Sequence, residues 1–322
     1  MRFETVTEAI SSFNTYITDC SFQHALFSHL FDSHSLDMEK SCSAFYVTNG
    51  YEWNIREVLE LLRANGCRLS VHIPRPSPSV LLQILGTYNI RYRFYRNLFY
   101  GKGDVNLAGM LEDFLLCGMH SCVVVNSNGG YPSGLRINES GWRELLQVCK
   151  ERDHLVWLNM TNVGLNDGNM ADECRVIRQC RDEGIPCIVS MDLGSSFGLC
   201  GNGFGCVFSL NREMKTLHST SCQLILQHAL AQLLQNDDMR KRLYSIQVIV
   251  MNREEERTRE RNRLERIRAL LIQRDKRMQF LQYGCGPYGV SPEKNGGYLN
   301  LSSTHFRPQS QVVVKESELL KS

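Results

Sequence analysis

The most constrained segment of the chain runs from Ile188 to Phe208 and reads IVSMDLGSSFGLCGNGFGCVF. An apolar run at its start, Ile188 to Met191, predicts a buried strand, and Cys206 to Phe208 at its end predicts another. Five glycines lie between these runs: Gly194, Gly198, Gly201, Gly203 and Gly205. Glycine tolerates positive φ and lets the backbone approach another group closely. The segment therefore predicts two strands joined by a tight turn whose backbone can come close to a ligand.

Strands and helices alternate on the amino-terminal side of this segment. Strand-like runs recur at residues 44–47, 69–73, 90–95, 121–125, 155–158 and 186–190. Helical periodicity lies between most of them, near residues 79–85, 107–116, 139–150 and 171–183. Such alternation is typical of βαβ units. The sequence therefore predicts an α/β protein with a mostly parallel, doubly wound sheet, whose ligands bind at the carboxyl ends of the strands. The glycine- and asparagine-rich turns at 126–130 and 164–168 are the expected rim of a pocket.

The helix after the first strand carries its own boundary signals. Asn54 followed by Glu57 has the form of a capping box, which predicts that the helix begins there. Gly66 is a natural residue to follow its carboxyl end. Val58, Leu61 and Leu62 mark the buried stripe of this helix.

Composition excludes several classes of function. The 322 residues include 36 Lys and Arg against 34 Asp and Glu, a formal net charge of +2. This balance argues against nucleic acid or a membrane surface as the main partner. The apolar runs are too short to span a bilayer. The 13 cysteines lack paired spacing and the first residues lack a leader pattern, so we expect reduced thiols and a cytoplasmic location.

Two further patterns receive the plainer interpretation. The charged stretch at 253–277 has ten basic and six acidic residues, but the acids interleave and no aromatic residue lies inside it. We interpret it as a solvated connecting helix rather than a nucleic-acid helix. His24, His29 and His34 lie near Cys20 and Cys42, without the short spacing of a zinc site, so we expect no metal.

These patterns suggest three regions. Residues 1–43 are predicted to form a helical segment that packs with a smaller domain. Residues 44–235 are predicted to form the large α/β domain. Residues 236–322 are predicted to hold the long connecting helix and a reduced, smaller carboxyl-terminal domain.

The glycine-rich segment resembles the cofactor-lysine segment of the class I (aspartate) aminotransferase family. That segment reads roughly Ser-x-Ser/Ala-Lys-Asn-x-Gly-Leu-Tyr-Gly-Glu-Arg-x-Gly, and the matching glycines and Leu199 carry the resemblance. The family has the fold type I architecture and uses pyridoxal phosphate (PLP). The lysine that holds PLP falls on Ser195, and the arginine that binds its phosphate falls on Gly203. The resemblance implies the fold of the family without these two contacts.

Other stretches extend the resemblance. Residues 129–134, with Trp142 beyond them, resemble the family's Asn-Pro-Thr-Gly turn and the tryptophan of the next helix. Residues 156–165 are similar to its Phe-Phe-Asp-x-Ala-Tyr-Gln-Gly-Phe segment, residues 73–76 to its Leu-Pro-x-Pro strand end, and residues 297–302 to its Gly-Arg-Ile-Asn-Val-Ser. Matching is continuous over roughly residues 44–210. Because the family's N-terminal arm and part of its small domain have no counterpart, the resemblance implies a degenerate, shortened member.

The resemblance also implies a degenerate pocket. The matching positions are Gly50, Tyr51 and Glu52 in the phosphate cradle; Pro78 for the ring-stacking tryptophan; Tyr131 and Asn162 for the partners of the ring oxygen; Asn159 for the carboxylate on the ring nitrogen; and Tyr298 for the arginine that binds the substrate carboxylate. Serine cannot form an imine, and an amide cannot keep the pyridinium nitrogen protonated. Lys150 and Lys215, the nearest lysines in sequence, are predicted on an outer helix and in a connection. We therefore predict no catalytic residue and no bound PLP.

Three functions follow from the resemblance. The first, which we favour, is a pseudoenzyme that has lost transamination and acts by binding, as a homodimer or as a heterodimer with an active family member. The second is an enzyme with altered chemistry in the same pocket. The third is an active PLP-dependent aspartate/2-oxoglutarate aminotransferase in amino acid metabolism.

Overall fold

A seven-stranded mixed sheet organises the computed structural model, which describes residues 22–31, 35–67, 70–99, 104–126, 133–161, 163, 170–194, 203–215, 269, 288–290 and 298–300. The sheet strands are β1 (Cys42–Thr48), β2 (Val71–Arg75), β3 (Tyr92–Arg96), β6 (Cys122–Asn126), β7 (Leu155–Met160), β8 (Cys187–Asp192) and β9 (Gly205–Leu210). Their order is β1-β9-β8-β7-β6-β2-β3. Strands β3, β2, β6, β7 and β8 pair in parallel. Strand β9 runs antiparallel to β8 on one side and to β1 on the other. The predicted mostly parallel α/β sheet is confirmed.

Helices cover both faces of this sheet. The helices are α1 (Phe22–Phe31), α2 (Ser35–Ser41), α3 (Tyr51–Ala64), α4 (Ser79–Thr87), α5 (Leu107–Leu116), α6 (Glu139–Glu151), α7 (Met170–Glu173) and α8 (Arg175–Asp182). Two short hairpins join strand β4 (Leu98–Phe99) to β5 (Asp104–Val105) and strand β10 (Tyr288–Val290) to β11 (Tyr298–Asn300). Because helices cover both faces of the sheet, its central strands are continuous apolar runs.

Two apolar cores lie on opposite sides of the sheet. Helices α3 and α4 bury Ile55, Val58 and Leu81 on one face. Helices α1, α5, α6 and α8 pack on the other face. Alternation along each strand sends successive side chains to opposite faces, which is why Val124 belongs to the first core and Val123 to the second.

Helix α1 packs directly on the sheet. The ring of Phe27 lies 5.2 Å from that of Phe208 and 5.8 Å from that of Phe45, both in tilted or edge-on geometry. Such aromatic pairs add about 0.5–1.5 kcal/mol beyond the area that they bury.

The predicted packing of residues 1–43 on a smaller domain concerns residues 236–322, almost all of which lie outside the described part. The three predicted region boundaries therefore stay predictions.

The predicted start of helix α3 is wrong. The helix begins at Tyr51 after Gly50, three residues before the predicted cap. Asn54 lies inside the helix, 1% exposed, and its side chain accepts a hydrogen bond from Thr48. The predicted end is confirmed, because Gly66 has a φ of +64° just after the helix. The capping-box pattern was misleading because the amide of Asn54 bonds a strand side chain rather than its own helix.

Buried histidines make the stability of this fold depend on pH. His154 is fully buried and its Nε2–H donates to the carbonyl of Phe114 at 2.9 Å, while Nδ1 has no partner. Burial lowers the pKa of His154, and burial likewise lowers the pKa of His72. A proton on either ring is therefore bound more weakly in the folded state than in the unfolded chain.

We expect stability to be complete above pH 6.5, the ordinary histidine value, and to fall as the pH drops below it. The slope is at most about 1.4 kcal/mol per pH unit for each histidine. Urea unfolding at a series of pH values measures it. His154→Gln should flatten the decline, and an unchanged slope in that variant would exclude His154 as a cause.

Within the residues that the structure describes, no helix has the length and apolar content needed to cross a bilayer.

Candidate functional site

The candidate site lies where the parallel strands end. Thr48 at the end of β1 pairs with Gly205, and Gly205 pairs with Asp192 at the end of β8. Asn159 near the end of β7 pairs with Asn126 at the end of β6. Ligands of open α/β sheets bind at this edge. The sheet register therefore brings the chain's glycine-rich segment to the expected binding edge.

The amino terminus of helix α3 opens on this edge. Gly50 precedes the helix with a φ of 91°, and no side chain caps the first turn. Positive φ is a conformation that favours glycine. The unbonded N–H groups of a first helical turn attract anions. Gly50 and Tyr51 therefore lie where the family's phosphate cradle was predicted.

The backbone at Gly203 closes against this turn. A Cβ atom built on Gly203 would lie 2.0 Å from the carbonyl oxygen of Asn49 and 3.5 Å from Cα of Gly50. A Cβ on Gly50 would in turn lie 2.9 Å from Cα of Gly203. Real Cβ contacts are never this short, so both positions accept only glycine. No arginine side chain fits at residue 203 without a shift of the backbone.

Gly205 makes a second close approach beside the first. A Cβ there would lie 2.5 Å from the carbonyl oxygen of Met191 and 2.9 Å from Oδ1 of Asn54. The amide of Asn54 thus fills the space over Gly205, held by its bond to Thr48. This contact ties helix α3 to strands β1, β8 and β9.

Asn159 is bound within a buried polar network. Its Nδ2 donates to Oδ1 of Asn126 at 2.9 Å, and the hydroxyl of Ser190 lies 3.4 Å from its Oδ1. The hydroxyl of Ser190 accepts a bond of 2.8 Å from Nε1 of Trp157. Asn159 is 3% exposed, and Trp157 and Ser190 are fully buried. The amide at the predicted ring-nitrogen position therefore bonds the protein itself.

Removal of the hydroxyl of Ser190 is expected to destabilise the fold. Ser190→Ala leaves the buried N–H of Trp157 without its acceptor, which costs about 1–3 kcal/mol. Urea unfolding followed by circular dichroism measures the loss. Thr87→Ala, which removes an exposed hydroxyl that bonds the carbonyl of Gln83 in helix α4, should cost much less. Equal losses in the two variants would contradict the network.

Two carboxylates lie at this edge. Burial raises the pKa of Asp192, against a smaller opposite effect of the backbone N–H of Gly194. Glu52 lies in the first turn of α3, with its side chain 53% exposed and bonded to Arg56 at 2.9 Å. A partly buried acid with a raised pKa keeps its proton to a higher pH than an exposed one. The carboxylate of Glu52 opposes the binding of a dianion at the helix terminus, and Asp192 does so when it is ionised.

The structure locates six of the ten predicted pocket positions in full. Gly50, Tyr51, Glu52 and Gly203 meet around the first turn of α3, Asn159 lies in the polar network, and Pro78 precedes helix α4. Tyr298 lies in strand β11, for which only the backbone is described. Tyr131, Asn162 and Ser195 lie outside the described residues, as do nearly all of turns 126–130 and 164–168.

The lysines of the described part lie away from this edge. Lys40 precedes β1, and Lys150 lies in the last turn of α6, which returns to the amino ends of the strands. The backbone of Lys215 donates to Asn65, at the opposite end of α3 from Gly50. Among the described residues, no group of three His, Cys, Asp or Glu side chains lies close enough together to hold a metal ion.

The contacts of four residues of the site were not predicted, although Asn126 lies in a turn that was predicted to border a pocket. Asn54, Asn126 and Ser190 act through side-chain bonds between distant residues, and a single sequence carries no signal for these. Asp192 could have been found, because it stands where the family segment begins with serine. An acid in place of a serine is a charge change visible in the sequence alone.

Comparison with solved structures identifies the fold. An aromatic amino acid aminotransferase from Burkholderia cenocepacia superposes with a TM-score of 0.71 at 16% identity, covering 88% of this chain and 76% of that one. The broad specificity aminotransferase of Leishmania mexicana gives 0.72 at 13% identity, covering 89% and 76%. An aromatic-amino-acid aminotransferase from Burkholderia pseudomallei, covalently bound to PLP, gives 0.70 at 17% identity, covering 85% and 71%. The chain has the fold of the PLP-dependent aminotransferases.

Comparison with curated sequences narrows this class. The mitochondrial aspartate aminotransferase of Gallus gallus is 22% identical over 154 residues, 48% of this chain and 36% of the relative. The aspartate aminotransferase of Pseudomonas aeruginosa is 28% identical over 114 residues, 35% of this chain and 28% of the relative. No family model matches the chain. The chain is a relative of the class I (aspartate) aminotransferase family, and its matches span well under half the length of these curated relatives.

The residues present do not fit PLP. The backbone contact at Gly203 excludes a cationic side chain there, and Asn159 offers no carboxylate to the ring nitrogen. Glu52 places a carboxylate in the helical turn of the predicted phosphate position. PLP needs a cation where Gly203 lies and a carboxylate where Asn159 lies, and its phosphate dianion disfavours the carboxylate of Glu52. The fold of the family is kept, while the groups that match its cofactor contacts differ in charge and size.

Proposed function

We propose that this aminotransferase-like protein does not hold PLP, has lost transamination and acts by binding. The observation that carries the proposal is the contact of Gly203 with Asn49 and Gly50, since the Cβ of any other residue would lie 2.0 Å from a carbonyl oxygen. A helix terminus alone binds a phosphate dianion weakly beside Asp192 and Glu52. Without an imine-forming lysine at residue 195, the cofactor also has no covalent attachment.

The partner we propose is a second copy of this chain or an active aminotransferase of the family. The nine cysteines of the described part are free, which suits the reducing cytoplasm that we propose as its location. Sedimentation of the purified chain tests whether two copies associate. Pull-down of a family aminotransferase with the full chain, and its absence with an unrelated bait, tests association with an active aminotransferase.

The test of the loss of PLP is spectroscopic. Purified protein mixed with PLP is expected to show no visible absorption that persists through gel filtration, and borohydride is expected to fix no pyridoxyl group to any lysine. A mitochondrial aspartate aminotransferase serves as the positive control. Trapping of PLP at one identified lysine would overturn the proposal and restore the active-enzyme alternative.

A second function, altered chemistry in the same pocket, is favoured by one observation. Asp192 is a partly buried acid at the binding edge, and burial raises its pKa, which is the direction of shift that favours a general acid. It predicts tight binding of a small acid without PLP-type absorption. Calorimetry with aspartate and with 2-oxoglutarate tests this, and Asp192→Asn should change the pH dependence of any binding found.

A further inference from the structure

Strand β3 forms the outer edge of the sheet in the described part of the chain, far in the strand order from the candidate site. The backbone N–H of Arg96 in this strand donates to the carboxylate of Asp113 at 2.7 Å and therefore points away from β2. Because successive residues of a strand point their backbone groups to opposite sides, Tyr92 and Phe94 also direct N–H and C=O outward. Unpaired backbone groups on a sheet edge can pair with another strand.

The side chains of this edge divide by face. Arg93 is exposed on the side that Tyr95 shares, and Arg91 is exposed immediately before the strand begins. No ion pair of either arginine with a carboxylate occurs among the described residues. Tyr92 and Phe94 lie on the other face, where Phe94 is 41% exposed. One face of the edge is thus basic and the other aromatic.

We propose that the β3 edge, defined as Arg91 to Phe94, binds an extended acidic segment of a partner protein by strand addition. The side chains of an added strand alternate between faces. A segment with alternating acidic and apolar residues would therefore place its carboxylates beside Arg91 and Arg93 and its apolar groups beside Tyr92 and Phe94.

Charge selects this partner over a second copy of the chain. Pairing two β3 edges would bring the arginines of each together, and like charges opposite one another destabilise a strand pair. Charged residues also protect sheet edges from unwanted pairing. Protection alone would not require the exposed aromatic side chain that β3 carries at its centre, Phe94.

The ring arrangement favours protein over nucleic acid. The guanidinium of Arg75 lies 5.0 Å from the centre of the Phe94 ring, and the Tyr92 ring meets it edge-on at 5.6 Å. Arg75 thus already covers one face of the ring on which a base would stack. At the end of the strand Arg96 is paired with Glu112 and Asp113, so no continuous basic track leads away from the edge.

The experiment uses the full chain and a short fluorescein-labelled peptide in which valine and glutamate alternate. Fluorescence anisotropy is expected to show binding that Arg91→Glu with Arg93→Glu weakens by about tenfold or more. The matched control, Arg63→Glu with Lys150→Glu, makes the same charge change at exposed helical positions and should bind as the natural chain does. Circular dichroism confirms that both variants fold.

Backbone pairing is tested separately. The same peptide with N-methyl groups on alternate amides keeps its charge but loses the hydrogen bonds of one edge, and it should bind about tenfold more weakly or worse. The proposal is overturned if the peptide does not bind, if the two double variants bind it equally or if the methylated peptide binds as tightly. Displacement of the peptide by a single-stranded oligonucleotide, or a dimer that Arg91→Glu with Arg93→Glu dissociates, would also overturn it.

Discussion

Gly203→Arg is expected to destabilise the chain by about 3 kcal/mol or more, and not to create a phosphate site. The change restores the residue that the family resemblance places at this position. Its Cβ would lie 2.0 Å from the oxygen and 2.9 Å from the carbon of the Asn49 carbonyl. Overpacking costs about 1–3 kcal/mol when side chains can yield, and here the obstacle is backbone that also begins helix α3. Urea unfolding followed by circular dichroism measures the loss.

Gly86→Arg is the matched control for this variant. Gly86 lies in helix α4, and a Cβ there meets nothing within 4 Å. Arginine is a better helix former than glycine by up to about 1 kcal/mol, so this control should be neutral or stabilising. A Gly203→Arg chain that is as stable as the natural one and binds PLP would show that residues 49–50 move aside freely, and the proposed loss of the cofactor would fail with it.

Much of the sheet could be predicted because its strands are short apolar runs. The continuous run Cys122 to Val125 is buried on both faces, and burial rather than turn chemistry decides such a strand. The predicted helix at 107–116 matches α5 residue for residue. Glycine spacing predicted a tight turn close to a ligand, whereas the structure shows Gly203 and Gly205 close to protein atoms of Asn49, Met191 and Asn54.

The position of β9 could not be predicted in the same way. It enters between β1 and β8 and runs antiparallel to both. Its pairing with β1 joins residues more than 150 positions apart. The same limit applies to the site. Asn159 was predicted as a lost carboxylate, but its bond to Asn126 and the link to Trp157 through Ser190 join three strands. Periodicity along one strand carries no information about these cross-strand bonds.

Helix α3 shows where local signals and tertiary contacts disagree. Asn54 and Glu57 have the spacing of a capping box, yet the helix starts directly after Gly50. The φ of 91° at Gly50 is a conformation that favours glycine. Asn54 then becomes a buried contact between the helix and Gly205. The residue that local propensity predicted as a helix cap instead fixes the helix against the sheet beside the candidate site.

Ser195→Lys alone is expected to give no measurable transamination of aspartate or glutamate. The lysine supplies an imine-forming amine, but Asn159 still cannot hold the pyridinium proton, Gly203 cannot pair with phosphate, and Glu52 and Asp192 remain near the predicted cradle. Each missing charge-assisted contact costs about 1.5–3 kcal/mol. Two of them weaken PLP binding by at least about two orders of magnitude, at about 1.4 kcal/mol per tenfold. A coupled assay for each oxo acid product, with PLP titrated by absorbance, measures both effects.

Two further variants give this prediction its control and its limit. Ser196→Lys places the same amine one residue away and should behave like Ser195→Lys in both measurements. Adding Asp192→Ser to Ser195→Lys removes one buried carboxylate and restores the first serine of the family segment, so PLP should bind more tightly to the double variant than to Ser195→Lys, still without turnover. Clear activity from Ser195→Lys alone would mean that the pocket is intact, because Asn159 and Gly203 would then suffice for the cofactor, and the pseudoenzyme proposal would have to be abandoned.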